Sequence, residues 1–297
     1  MRAPFPPPEL ANRVCSLDGS DEPYVIYDQH GAEARRALLS LLPDDWSFEG
    51  RRVLDFGCGA GRTLRHFLDE AGRGELWGAD LDSRSIEWLD RTLCPPLHVR
   101  LSGEAPPLGL EPASFDLIWA LSVFTHLTDS SIPWLLELHR LLKPEGLLIA
   151  TYMGRWTSEE LIGEPWDEDR VGMNALRHDQ DWEIGGPMVL MSDWWVSAHW
   201  GRLFDIVRVE PMIHGQSWAL LRKRDVELTA EEVERPEAGE PREFTAVRHN
   251  LLQLRRDHAA ELVRLRSFYE SSRSWQLTAP LRAGLEAARS FRRRRSN

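Results

Sequence analysis

With 297 residues, 42% of them hydrophobic and 28% charged, the chain holds enough apolar material for one domain of about 220 residues and an appendage. A formal net charge of -11 disfavours a nucleic-acid partner, because phosphate contacts need a concentrated basic surface; a small neutral or sugar-like ligand fits better. Cys15, Cys58 and Cys94 are odd in number and lack CxxC spacing, which gives neither a disulfide framework nor a zinc site and points to a reducing cytosol.

The opening Met1 to Pro8 is proline-rich without the apolar core of a signal peptide, and no window reaches the roughly 18 apolar residues of a membrane span. A cytoplasmic location is expected. Leu38, Leu39, Leu41 and Leu42 predict a helix over Gly31 to Leu42, so residues 1–50 read as a lid or packing segment. From Arg52 apolar strands alternate with helices. Strands are predicted at Val53–Phe56, Leu76–Ala79, 97–101, 115–121 and 146–152, with helices near 61–71, 83–93 and 130–142. Residues 153–191 break the alternation, with Trp156, Trp166 and Trp182 among Gly, Pro and acidic residues; they read as an insertion above the carboxyl edge of the sheet. A helix near 193–203, capped by Ser192 or Asp193, precedes strands near 204–210 and 216–223 around a Pro211–Gly215 turn.

The expected fold is α/β: a doubly wound, Rossmann-like, mostly parallel seven-stranded sheet with a C-terminal β-hairpin over residues 51–224, plus a C-terminal helical appendage. Residues 225–243 carry eight acidic and two basic side chains with Pro236 and Pro241, and read as a solvated linker. Within 244–297, Val247, Leu251, Leu254, His258, Leu262, Leu265 and Tyr269 recur about every 3.7 residues, close to an 11-residue repeat, and predict one long amphipathic helix. The last 27 residues hold seven Arg against one Glu, a basic tail.

The sharpest motif is Asp55-Phe56-Gly57-Cys58-Gly59-Ala60-Gly61-Arg62, placed directly after an apolar strand. Its glycines let the backbone turn sharply and approach a ligand without an intervening Cβ. A dinucleotide site wants G-x-G-x-x-G. Here the third glycine comes one residue early and Arg62 stands in its place, which disfavours a nucleotide-dependent oxidoreductase. Asp80 ends the second strand, where a carboxylate can accept from both hydroxyls of a ribose, and Asp82 is placed to cap the next helix. Ser102-Gly103-Glu104 follows the third strand, Ala113 to Ile118 leads into Ser122-Val123-Phe124-Thr125-His126-Leu127, and Leu138 to Gly146 follows.

In this order the segments resemble class I S-adenosylmethionine-dependent methyltransferases, over roughly residues 45 to 152. The resemblance implies S-adenosyl-L-methionine as cofactor. It places Asp55, Gly57, Gly59 and Gly61 around the amino-acid end, Asp80 at the ribose and Glu104 beside the adenine, with Ser122 also in the cofactor site.

Methyl transfer is an in-line displacement, so the protein must align acceptor, methyl and sulfur and exclude water. An alcohol acceptor must also lose a proton, for which a neutral imidazole is suited. His126, after the fourth strand, is the first catalytic candidate, followed by Tyr152 at the end of the fifth and His214 in the hairpin. Their structural alternatives are helix packing, a wall position and a turn position. His178 and His199 read as surface or capping residues, and no cluster has metal-ligand spacing. The tryptophans between Trp156 and Trp200 offer flat faces to a sugar ring or to a core, with at least one of Trp194, Trp195 and Trp200 assigned to the core.

Tyr269 to Arg282 resembles the tails of bacterial glycosyltransferases and methyltransferases that build surface polysaccharides. That resemblance implies O-methylation of a sugar or glycan intermediate. A methyltransferase for another small metabolite, and a non-catalytic scaffold with this fold, are the alternatives. Leu281, Leu285, Ala288 and Phe291 beside Arg292 to Arg295 form a basic amphipathic pattern suited to peripheral contact with an anionic inner membrane face. The stripe from Val247 to Tyr269 suits pairing in a homodimer, with His258 weakening the seam.

Overall fold

The computed structural model describes residues 3–14, 23–178, 180 and 185–282 and divides into two compact units, residues 1–250 and 251–297. Cys15, Trp182, Leu285, Ala288, Phe291 and Arg292 to Arg295 lie outside the described residues.

Among the described residues nine strands occur in chain order: β1 (Arg52–Phe56), β2 (Glu75–Asp80), β3 (His98–Leu101), β4 (Phe115–Ala120), β5 (Leu142–Tyr152), β6 (Met173–Leu176), β7 (Met188–Met191), β8 (Phe204–Ile213) and β9 (Gln216–Lys223). Seven of them form one sheet in the order β3-β2-β1-β4-β5-β9-β8, parallel through β5 and closed by the antiparallel β9–β8 hairpin. This is the sheet expected from the alternating pattern. In the same unit lie α1 (Pro8–Val14), α2 (Pro23–Leu41), α3 (Ser83–Thr92), α4 (Ser131–Leu141) and α5 (Asp193–His199).

Side chains alternate between the two faces of the sheet with period two. Val53, Leu117, Trp119 and Ile149 are buried in one cluster with Leu38 and Leu41 of α2 and Leu89 of α3. Leu54, Ile118, Leu148 and Ala150 are buried in the other with Leu135 of α4 and Val196 of α5. Burial on both faces is why these strands read as nearly continuous apolar runs.

The expected helix near 61–71 is replaced by two 3₁₀ turns, Leu64–Phe67 and Glu70–Gly72. The cause is tertiary. A Cβ on Gly31 of α2 would overlap the Arg62 carbonyl oxygen, so helix and loop touch backbone to backbone. Arg35 pairs with Glu70 at 2.5 Å, and Arg65 donates to the Ala3 carbonyl beneath the Phe5 ring. Beside these ties an i to i-4 bond remains, from the Arg65 N–H to the Gly61 carbonyl at 3.0 Å. The hairpin also differs in detail: β8 continues through Pro211 with an irregular register, and the turn is His214-Gly215, with φ of 51° and 75°. Two consecutive positive φ values suit a two-residue hairpin, and Pro211 is tolerated because β8 is an edge strand.

Residues 225–243, expected as a solvated linker, are docked instead. Thr229 and Glu232 form a reciprocal capping box at α6 (Ala230–Glu234), and Val233 is fully buried. Glu243, at the start of α7 (Arg242–Ser271), is buried with its Oε1 2.9 Å from His199 Nε2, while His199 Nδ1 donates to the Val233 carbonyl at 2.7 Å. His199 is therefore a core residue rather than a surface or capping one. The acidic composition conceals an ordered strap because its carboxylates have assigned donors: Glu237 takes Arg202 and Glu240 takes Arg242.

The second unit holds the rest of α7 and α8 (Arg273–Leu277), which Ser272 caps by accepting from the Trp275 N–H. The long helix expected from the 11-residue spacing is present. None of its described side chains from Leu251 to Arg282 is buried. Among the described residues no helix is long and apolar enough to cross a membrane.

Candidate active site

The sheet order reverses between β1 and β4, and the crevice at the carboxyl ends of such strands is where open α/β sheets take ligands. Here β1 hands the chain to Gly57, Gly59 and Gly61, with φ of 80°, 51° and 75°. Space as well as φ requires glycine: a Cβ on Gly57 would overlap Val123 Cγ2, and one on Gly61 would stand 2.7 Å from Leu89 Cδ2. The Gly57 and Cys58 N–H groups donate to the Ala79 carbonyl at 2.8 and 3.0 Å, fastening the loop to β2.

Asp80 closes β2 and faces this loop. Its Oδ2 accepts from the Gly59 N–H at 2.7 Å and its Oδ1 from the Asp82 N–H at 2.8 Å. Asp82 occupies the N-cap position of α3, but its carboxylate takes the Ser85 hydroxyl at 2.7 Å rather than a helix N–H. Asp55 is only 3% exposed, and its Oδ2 has no hydrogen-bond partner among the described residues. Burial pushes its carboxyl up to about 7, with Asp80 adding to the rise and Trp119 and Arg62 opposing it.

These residues fit S-adenosylmethionine. A buried acceptor without a partner and a second carboxylate suit a ligand that carries ammonium and sulfonium charges, and the three glycines leave the approach free of Cβ atoms. Ser122 follows β4 at φ 58°; its N–H donates to Thr151 Oγ1 at 2.7 Å and its hydroxyl lies 2.9 Å from Gln216 Nε2. The neighbouring Val123 lies against Gly57 of the glycine loop. Glu104 is exposed, and its recorded tie is through its backbone carbonyl, which accepts from Trp134 Nε1 at 3.1 Å.

The three catalytic candidates have different surroundings. His126 Nδ1 lies 2.7 Å from the Pro187 carbonyl. A carbonyl only accepts, so Nδ1 carries the hydrogen and the lone pair is on Nε2. Burial lowers the imidazole pKa and favours this neutral form. The ribbon of β6 and β7 is sewn over the same edge: Val189 N–H donates to Thr125 O at 2.8 Å and Met191 N–H to Met153 O at 2.7 Å. These two bonds tie the ribbon to the segments that follow β4 and β5. Tyr152 is 1% exposed and its hydroxyl donates to Asp193 Oδ1 at 2.6 Å. Burial, and the Asp193 carboxylate, push its pKa far up, so it is a neutral phenol at ordinary pH. His214 is exposed at the hairpin turn, 3.5 Å from Glu33 and with its ring 5.8 Å from that of His30 on α2.

Hairpin and α2 therefore meet at the rim, a proximity that neither segment announces in sequence. Gln216 was equally invisible, since its partner Ser122 is 94 positions away. Trp156, 37% exposed, lies against the turn so closely that a Cβ on Gly215 would overlap its ring. By contrast Trp194 and Trp195 of α5 and Trp200 in the 3₁₀ turn that follows it are all buried, so this stretch is core. His178 lies 3.4 Å from Asp129, and among the described residues no group of three or more His, Cys, Asp or Glu could hold a metal ion.

Residues 54–148 match a family model described as a methyltransferase domain. Malonyl-[acyl-carrier protein] O-methyltransferase of Enterobacter lignolyticus is 32% identical over 158 residues, covering 52% of this chain and 59% of that protein. Ubiquinone biosynthesis O-methyltransferase of Cereibacter sphaeroides is 33% identical over 163 residues, covering 51% and 58%. The chain thus spans less than two thirds of the curated relatives it matches. A crystal structure from Listeria monocytogenes, described as that of an S-adenosylmethionine dependent methyltransferase, shares the fold with a TM-score of 0.50 at 17% identity, covering 65% of this chain and 99% of that one. The glycine loop, the carboxylates beside it and these likenesses agree: the chain carries a methyltransferase domain of the class I fold, and S-adenosylmethionine is the cofactor of that domain.

Proposed function

We propose that the protein O-methylates a small acceptor, a sugar or glycan intermediate, with His126 as the base that takes the hydroxyl proton. The observation that carries the reaction type is the hydrogen bond from His126 Nδ1 to the Pro187 carbonyl. It fixes the tautomer whose Nε2 can accept a proton, as an oriented imidazole does in other general-base sites. When bound, S-adenosylmethionine supplies an electrophilic methyl group. Asp80 and the glycine loop hold and orient it, with Ser122 beside them. The β6–β7 ribbon excludes water from the edge where the acceptor enters.

The sugar reading draws on the resemblance of Tyr269 to Arg282 to the tails of polysaccharide-building enzymes and on Trp156, a half-exposed flat ring at the rim. Tyr152 and His214 line the same edge as wall and rim. In this reading the protein acts in the cytoplasm, and the basic tail favours an anionic inner membrane face. Labelled-methyl transfer from S-adenosylmethionine to a panel of sugars, lipid-linked sugars and small phenols tests it. Label in a sugar hydroxyl supports the proposal. Transfer only to phenols or to nitrogen overturns the acceptor, and cofactor binding without any transfer favours a scaffold.

A further inference from the structure

We infer that the second unit is a parallel pairing surface for a second copy of this chain. Leu251 and Leu262, Leu254 and Leu265, and His258 and Tyr269 are each 11 positions apart on α7. An 11-residue repeat keeps such pairs on one straight seam, here an arc of about 65°. Leu251, Leu262 and Tyr269 are 47%, 53% and 60% exposed, and no described side chain between Leu251 and Arg282 is buried, so among the described residues nothing in its own unit covers this apolar line.

Charge decides what covers it. Arg255 and Arg266, again 11 apart, lie about 65° to one side of the middle of the seam, and Glu261 lies about 65° to the other. In a parallel two-fold pair each flank faces the opposite flank of its mate. Glu261 of one copy then meets Arg266 of the other, five positions on, whereas antiparallel pairing would set arginine against arginine. Within one copy these side chains form short-range pairs, Glu261 with Arg264 and Arg266 with Glu270, and all four are free to reorient because they are solvent-facing. An anionic bilayer is the weaker match. Residues 251–271 hold four Arg against Asp257, Glu261 and Glu270, so the helix itself is nearly neutral and carries carboxylates beside its apolar line.

Sedimentation velocity of the full chain over a dilution series tests the inference, and it is independent of the methyl acceptor. The wild type should be a dimer. Leu262→Asp should be a monomer with unchanged domain melting, since Leu262 is 53% exposed and belongs to no core cluster. Glu261→Arg should weaken association roughly five- to tenfold, and adding Arg266→Glu should restore it. A wild type that stays monomeric overturns the inference, and if that monomer sediments with phosphatidylglycerol vesicles the stripe belongs to a membrane. A dimer that survives Leu262→Asp, or a double reversal that fails to restore pairing, overturns the seam.

Discussion

Gly57 and Val123 approach so closely that no side-chain carbon fits between them: a Cβ at position 57 would overlap Val123 Cγ2, and the backbone there has a φ of 80°. One contact thus joins the loop after β1 to the segment after β4. Gly57→Ala should lower affinity for S-adenosylhomocysteine at least tenfold and destabilise the domain by about 1–3 kcal/mol, from strain in a left-handed conformation together with overpacking. Calorimetry and denaturant unfolding read the two effects. Unchanged affinity would mean that the loop does not shape the cofactor site.

Asp80→Ala should weaken cofactor binding by about tenfold or more, the scale of charge-assisted hydrogen bonds at about 1.5–3 kcal/mol. Because Asp80 also holds the Gly59 N–H, Asp80→Asn should fall between wild type and alanine. Equal binding by all three proteins would remove Asp80 from the ribose role.

His126→Ala should reduce turnover with little change in cofactor affinity, because a base acts in the transition state. Its pKa is depressed below 6.5, so the neutral form persists and activity should hold below pH 6.5 before falling as the ring protonates. The same depression makes the associated stability complete above 6.5 and lost as pH falls through the folded-state value. A pH–rate profile of wild type and variant checks the sign; an identical acid limb in both would assign that limb elsewhere.

Asp55 gives the opposite dependence. Its folded-state pKa of about 7 lies above the ordinary 3.8, so the stability tied to its neutral form is present below 3.8 and lost as pH rises toward 7. In Asp55→Asn that slope should disappear between pH 4 and about 7, seen as melting temperatures that vary less with pH in the cofactor-free protein. A variant with an unaltered slope would place the titration in another group.

Truncation separates the docked strap from the pairing helix. A chain ending at Asn250 should keep its fold and its cofactor site, whereas one ending at Arg224 loses Val233, Ala246 and the Glu243 partner of His199. Leaving the buried His199 without its partners costs about 1–3 kcal/mol, and the lost burial of Val233 and Ala246 adds to it, a large share of the stability of a marginally stable domain. Equal melting of both truncated chains would show that the strap contributes nothing.

The succession of strands along the chain, the glycine loop, the position of Asp80 at the end of β2 and the long terminal helix were legible because each is written locally. Apolar runs of strand length, a tight glycine spacing and an 11-residue repeat are properties of short windows. The 61–71 segment was misjudged because its local pattern is helical while α2 presses on its backbone, and residues 225–243 were misjudged because acidic composition does not reveal donors supplied by Arg202 and His199. Likewise nothing near His126 in sequence specifies Pro187, yet that carbonyl fixes which imidazole nitrogen carries the proton. The sequence alone determined the class of fold and the cofactor loop, since both follow from periodicity and backbone freedom. Only the tertiary structure decided which titratable groups meet, because burial and charge pairing depend on segments as far apart in the chain as those of Glu33 and His214 arriving side by side.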